Sequence, residues 1–140
     1  VKILAVDPGL RKIGLAVSDP TGTAARALAV IEHVSPEGDC ARILEAARAE
    51  NAEKILVGIS HEPGTEPDES ARSTHRLLAA LRAAAGPPVD AYDESFSTRR
   101  AQEARRERGD RRKARRTADD ALAAAAFLQE YLDVRAERKT

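Results

Sequence analysis

Apolar residues follow two rhythms along this chain. Residues 1–7 are apolar apart from Lys2 and end in Asp7-Pro8-Gly9, and residues 12–19 form a second β-prone run, so the two read as strands joined by a tight turn. Pro8 and Gly9 supply the turn chemistry. Residues 25–33 read as a third strand. Ser35, followed by Pro36 and Glu37, reads as an N-cap with proline at the first helical position, and Ile43, Leu44 and Ala47 give that helix its apolar stripe. The nearly continuous apolar run at 54–60 has the character of a central strand buried on both faces. Residues 61–68, rich in Pro, Gly and acids, read as a loop. The spacing of Leu77, Leu78 and Leu81 predicts a helix over 69–85 that ends at Gly86, and residues 89–94 return as a strand. Ser97 or Thr98 can cap an Arg-rich helix that Gly109 stops, and residues 118–134 form a last helix with Leu122, Phe127, Leu128, Tyr131 and Leu132 as its larger apolar groups.

The order is three strands, then two helix-strand units, then two helices. Three leading strands make an antiparallel meander, and later strands return by helical crossovers. The expected architecture is α/β, a mixed five-stranded sheet with helices on both faces, as in the ribonuclease H-like fold. No repeat or long linker divides the chain, so residues 1–140 read as a single domain.

Composition agrees with one core: 140 residues, 15.1 kDa, 42% hydrophobic and 33% charged. The 23 basic and 23 acidic residues cancel, but they are not evenly spread. Between Arg99 and Arg116 ten basic residues face three acids, a local charge of +7 that leaves −7 on the remainder. A single cysteine, Cys40, allows no internal disulfide, and with three scattered histidines it makes no zinc cluster. No apolar run approaches the roughly 18–20 residues of a membrane span, and the chain starts on a strand-like segment, so a soluble, cytoplasmic protein without membrane partners is expected. Four aromatic residues are too few for a base-stacking platform, which favours contacts to backbone phosphate.

Three acidic positions stand where elements end. Asp7 closes the first strand, and as an Asx-type turn residue or as a metal ligand it would have a reason to interrupt the apolar pattern. Asp93 and Glu94 end the last strand, where they could also serve the dipole of the helix that follows. Asp119 and Asp120 precede the final helix and could be its N-terminal acids. Together these positions can converge on one sheet edge as oxygen ligands for hard divalent cations. Mg²⁺ or Mn²⁺ in such a cluster lowers the pKa of an attacking water and neutralises charge on the leaving oxygen of a phosphodiester. No phosphate loop, Gly-x-Ser-x-Gly elbow or Cys-His motif offers a competing mechanism, and His33, His61 and His75 read as surface or loop residues.

The segments Val-Asp-Pro-Gly-Leu-Arg-Lys-Ile-Gly-Leu-Ala-Val-Ser-Asp from Val6, Ile-Leu-Val-Gly-Ile from Ile55, Asp-Glu-Ser-Phe-Ser-Thr from Asp93, and Asp120 through Leu-Gln-Glu-Tyr-Leu-Asp resemble the YqgF/RuvX family. That family is a bacterial group of ribonuclease H-like proteins related to the RuvC resolvase. It is described both as Holliday junction resolvases and as nucleases that mature the 5′ end of pre-16S ribosomal RNA. The resemblance implies that Asp7, Glu94 and Asp120 form an acidic catalytic triad that binds Mg²⁺ or Mn²⁺, with Asp119 the neighbouring alternative. Two departures stand out: Val-Gly-Leu-Pro after the central strand reads Val-Gly-Ile-Ser here, and Asp-Glu-Arg reads Asp93-Glu94-Ser95. RuvC-type sites take their glutamate from the end of the fourth strand, which makes Glu62 the rival of Glu94.

The cationic segment supplies the expected nucleic-acid contacts: Arg99, Arg100, Arg111, Arg112, Lys113, Arg115 and Arg116, joined by Lys12. Such a strip gives affinity without sequence readout and weakens with salt. A solvated face of i, i+4 pairs is the plainer account, but three acids cannot neutralise ten bases. The expected function is a metal-dependent nuclease acting on structured RNA or branched DNA, including pre-16S rRNA in ribosomal precursor particles. A non-catalytic nucleic-acid-binding assembly factor is the alternative of another class. A relative of the actin-like ATPases would need a second half of the fold. The expected state is a monomer or, for a two-fold junction, a homodimer.

Overall fold

A computed structural model describes residues 1–59, 69–93 and 116–139, with only the backbone of 70, 116–120 and 137–139. Five strands form one sheet: β1 (Ile3–Asp7), β2 (Lys12–Ser18), β3 (Ala25–Glu32), β4 (Lys54–Ile59) and β5 (Val89–Asp93). Helices α1 (Pro36–Ala49) and α2 (Glu69–Ala83) precede β4 and β5, and α3 (Arg116–Lys139) follows. The sheet order is β3-β2-β1-β4-β5. β1 to β3 pair antiparallel, and β1, β4 and β5 run parallel. The expected mixed sheet of ribonuclease H-like type is therefore present.

Alternation along each strand divides the sheet into two apolar faces. Leu4, Val6, Ile55 and Val57 pack with Ile43 and Ala47 of α1 and Leu77, Leu78 and Leu81 of α2. Ile3, Ala5, Ala16 and Leu56 pack instead under Ala124, Phe127, Leu128 and Leu132 of α3. β4 contributes Ile55, Leu56 and Val57, all without solvent exposure, which is why its sequence lacks polar alternation. Phe127 is fully buried and stacks on Tyr92 with ring centroids 5.8 Å apart, so α3 is anchored by burial worth roughly 1.5–3 kcal/mol for this one side chain.

Local signals set the ends. Ser35 Oγ accepts the Gly38 N–H at 3.0 Å, Pro36 opens α1, and Asn51, at φ 56°, stops it as the Ala52 N–H returns to the Ala47 carbonyl at 2.8 Å. The Ile3 N–H donates to the buried Ser18 hydroxyl at 2.8 Å and fixes the start of β1. At the tight turn after β1, a Cβ on Gly9 would stand 2.5 Å from the Lys12 carbonyl oxygen, so this position takes no side chain.

Several expectations are corrected. α3 starts at Arg116 and reaches Lys139, so Asp119 and Asp120 lie inside the helix and do not precede it. Leu122 is 57% exposed and faces away from the core that Phe127 and Leu128 fill. His33 does lie in the loop between β3 and α1, where its Nδ1 meets the carboxylate of Asp39, which is buried and also accepts the Val34 N–H at 3.0 Å. α2 stops at Ala83, before Gly86. The Arg-rich helix expected after Ser97 or Thr98 lies outside the described residues. Among the described residues no helix is long and apolar enough to cross a membrane.

Candidate active site

The chain direction of β1, β4 and β5 brings their carboxyl ends to one sheet edge. Asp7 is the last residue of β1 and is partly exposed. Ile3 and Ala5 face α3, so Asp7, two residues further, shares that face. In register it stands opposite Gly14 of β2, and one step beyond the Val6 and Val57 pair, beside Gly58 of β4. On both neighbouring strands the position directly beside Asp7 is a glycine. A glycine inside a strand costs packing, and it marks a place where something else approaches the backbone. Sequence reading missed this pair because glycine in a strand gains meaning only from the residue opposite it.

Asp93 ends β5 at the same edge, paired with Ile59. Its neighbour Tyr92 packs on the α3 side, and Val89 packs toward α1 and α2, so alternation sets Asp93 on the face away from Asp7. The structure thus separates Asp7 from Asp93. Glu94 and Glu62 lie outside the described residues.

Two groups fix α3 at the opposite edge. The Gln129 carboxamide accepts the Ala25 N–H at 2.9 Å and donates to the Thr23 carbonyl at 3.0 Å, clamping the β2–β3 turn. Tyr131 accepts from Lys54 Nζ at 2.7 Å, at the first residue of β4. Burial opposes the Lys54 charge, but hydrogen bonds to Asp90 and Tyr131 outweigh it and raise the ammonium pKa above its usual value. From Gln129 the helix backbone runs back nine residues to Asp120, about 13 Å at 1.5 Å per residue, close to the length of β1. Backbone geometry therefore carries Asp120 toward the edge and the face that Asp7 occupies.

The donors suit a hard cation. Asp7 offers carboxylate oxygens beside two glycines, whereas the soft ligand Cys40 is buried in the α1 face with its thiol pKa pushed up by burial. No cluster of three metal-ligating side chains occurs among the described residues. Lys12 opens β2 on the carboxyl edge, paired with Glu32 in the sheet, and the backbone of Arg116 opens α3. Arg99, Arg100, Arg111, Arg112, Lys113 and Arg115 lie outside the described residues.

Comparison with known proteins agrees with this architecture. A family model described as RuvX, Holliday junction resolvase, matches residues 1–134. A protein of Symbiobacterium thermophilum, provisionally named pre-16S rRNA nuclease, is 38% identical over 99% of this chain and 96% of its own. A protein of Anaeromyxobacter sp. strain Fw109-5 with the same provisional name is 35% identical over 96% of this chain and 98% of its own. Among solved structures, Thermus thermophilus RuvC in complex with a Holliday junction superposes with a TM-score of 0.59, at 24% identity, over 96% of this chain and 95% of that one. The fowlpox virus resolvase with its junction DNA gives 0.52 at 14% identity, over 96% and 98% of the two chains. The RuvC-like fold and the match along almost the entire length lead to one conclusion: the chain belongs to the RuvX family.

Proposed function

We propose that this protein is a divalent-metal-dependent nuclease that cuts phosphodiester bonds in structured nucleic acid, and that its substrate is the 5′ region of pre-16S rRNA. The observation that carries this reading is Asp7 between Gly14 and Gly58 at the carboxyl edge, on the face over which α3 brings Asp120. The provisional name shared by relatives at 35–38% identity supports the RNA substrate. Asp7, Glu94 and Asp120 would hold Mg²⁺ or Mn²⁺, which when bound activates water and neutralises the leaving oxygen. Asp7 contributes a carboxylate on a rigid strand end, so its oxygens are positioned before the substrate arrives. Gly14 and Gly58 beside it add no Cβ to crowd an approaching phosphate.

Lys12 and the cations from Arg99 to Arg116 bind backbone phosphate and orient the strand, while base identity plays a small part. A precursor RNA fits a single 15.1 kDa domain acting as a monomer in the cytoplasm, on free RNA or on precursor particles. Junction resolution is the second reading, favoured by the family's description, and symmetric cutting there would need a homodimer. One preparation offered labelled precursor RNA and a four-way junction with Mn²⁺ tests both. Cleavage of the RNA that disappears on chelation and in Asp7→Asn is expected. Paired nicks in the junction with the RNA intact would overturn the substrate assignment. Unchanged cleavage by Asp7→Asn would overturn the site, and loss in Glu62→Gln with full activity in Glu94→Gln would replace Glu94 by Glu62.

A further inference from the structure

α2 is amphipathic in an unusual way. Its buried stripe holds Ala71, Thr74, Leu77, Leu78 and Leu81, and its outer stripe carries Arg72, His75 and Arg76, all exposed. With Glu69 these three line a shallow hollow of about 640 Å³. Several other cations of the described residues are engaged: Lys2 and Arg26 pair with Glu50, Lys54 with Asp90, and Arg82 donates to the Val89 carbonyl. Arg72 and Arg76 make no ion pair with a described carboxylate.

Position gives this stripe its meaning. β4 and β5 are parallel neighbours, so α2 between them runs back against both. Arg82, near its end, reaches the first residue of β5 at the amino edge. Arg72 stands ten residues earlier, roughly 15 Å along the helix, and so belongs to the carboxyl edge where Asp7 lies. We propose that Arg72, His75 and Arg76 form a phosphate-binding rail for the flank of the nucleic-acid substrate, on the sheet face opposite α3. The rail rests on the nuclease reading above and extends it to the sheet face opposite Asp7.

The chemistry fits a polyanion. One helical turn sets the two arginine Cβ atoms about 5–6 Å apart, and each guanidinium can hold a phosphate through two parallel hydrogen bonds. The His75 ring adds a donor beside them, and among the described residues lining the hollow Glu69 is the one opposing charge. α2 and α3 cover opposite faces, so a strand whose scissile phosphate lies at Asp7 reaches the rail only after passing the sheet edge. The contacted phosphates are thus several nucleotides from the cut, and substrate length decides whether the rail is used.

Binding measured across a salt series, with a chelator present so that no strand is cut, tests this on a long precursor RNA and on an oligonucleotide of a few nucleotides. Both arginines are exposed, and a thermal melt checks that Arg72→Ala/Arg76→Ala is folded. The expected result is an affinity loss on the order of tenfold for the long RNA, with the salt slope reduced by roughly 1.4–1.8 for two lost contacts. The loss should shrink for the short oligonucleotide, and Glu69→Gln should tighten the long RNA. Equal affinity and slope for variant and unchanged chain on the long RNA would overturn the rail and leave the nuclease reading standing. Absence of binding to RNA of either length by the unchanged chain would overturn both.

Discussion

Two aspartates sit in similar local sequences, Val6-Asp7-Pro8-Gly9 and Ser18-Asp19-Pro20-Thr21-Gly22, and the fold uses them differently. Asp19 accepts the Thr21 hydroxyl at 2.7 Å and the Thr23 and Ala24 N–H groups at 2.8 and 3.2 Å, so its carboxylate locks the β2–β3 turn. The Thr21 hydroxyl first, and then these backbone donors, hold its pKa below the ordinary 3.8. A depressed folded-state pKa stabilises the protein above the unfolded value, and that contribution fades as pH falls through the folded one. Asp19→Asn should therefore melt below the unchanged chain near neutrality, with the gap closing in acid; a gap independent of pH would contradict the assignment. Asp19 thus takes the turn-locking role that an Asp-Pro pattern offers, while Asp7 closes β1 opposite Gly14. What separates the two is the residue across the sheet, which no local motif reports.

At the scale of elements the periodicities were legible wherever packing is regular. The apolar run of β4 and the leucines of α2 name their own partners, because burial on both faces and one buried stripe leave direct marks on sequence. Leu122 misled for the same reason: an apolar residue in an alanine-rich helix reads as core, yet Phe127 and Leu128 fix which side of α3 turns inward. Gln129 was invisible in advance, since a carboxamide acquires its role only from the Thr23 and Ala25 backbone groups that meet it. Gln129→Ala removes both bonds, and denaturant unfolding should show a loss of about 1–3 kcal/mol. The turn after β1 is equally local. Gly9→Ala drives a methyl into the Lys12 carbonyl, which as backbone cannot swing aside, and should cost roughly 1–3 kcal/mol while lowering turnover through Asp7. Gly9→Ala with unchanged stability would show that the turn relaxes freely.

For the molecule as a whole, zero net charge conceals a polarity between the segment from Arg99 to Arg116 and the acidic remainder. That polarity was readable by counting, whereas the exposed arginines of α2 were not, because a pair of cations looks like any solvated helix face. Neutralising Arg111, Arg112, Arg115 and Arg116 together should weaken nucleic-acid binding and flatten its salt dependence by roughly 0.7–0.9 of slope per lost contact. An unchanged slope would assign these residues to protein contacts or solvent. The proposed site was legible only as a set of carboxylates at element ends; the faces that Asp7 and Asp93 take came from strand register. One further consequence follows from α3, which covers the face formed by Ile3, Ala5, Ala16 and Leu56 yet comes more than a hundred residues after β1. During synthesis the ribosome makes Asp7 on the order of ten seconds before Asp120. A nascent chain in that interval has an uncovered apolar face, and the proposed acidic site, with Asp120 still to come, would be complete only once α3 has docked.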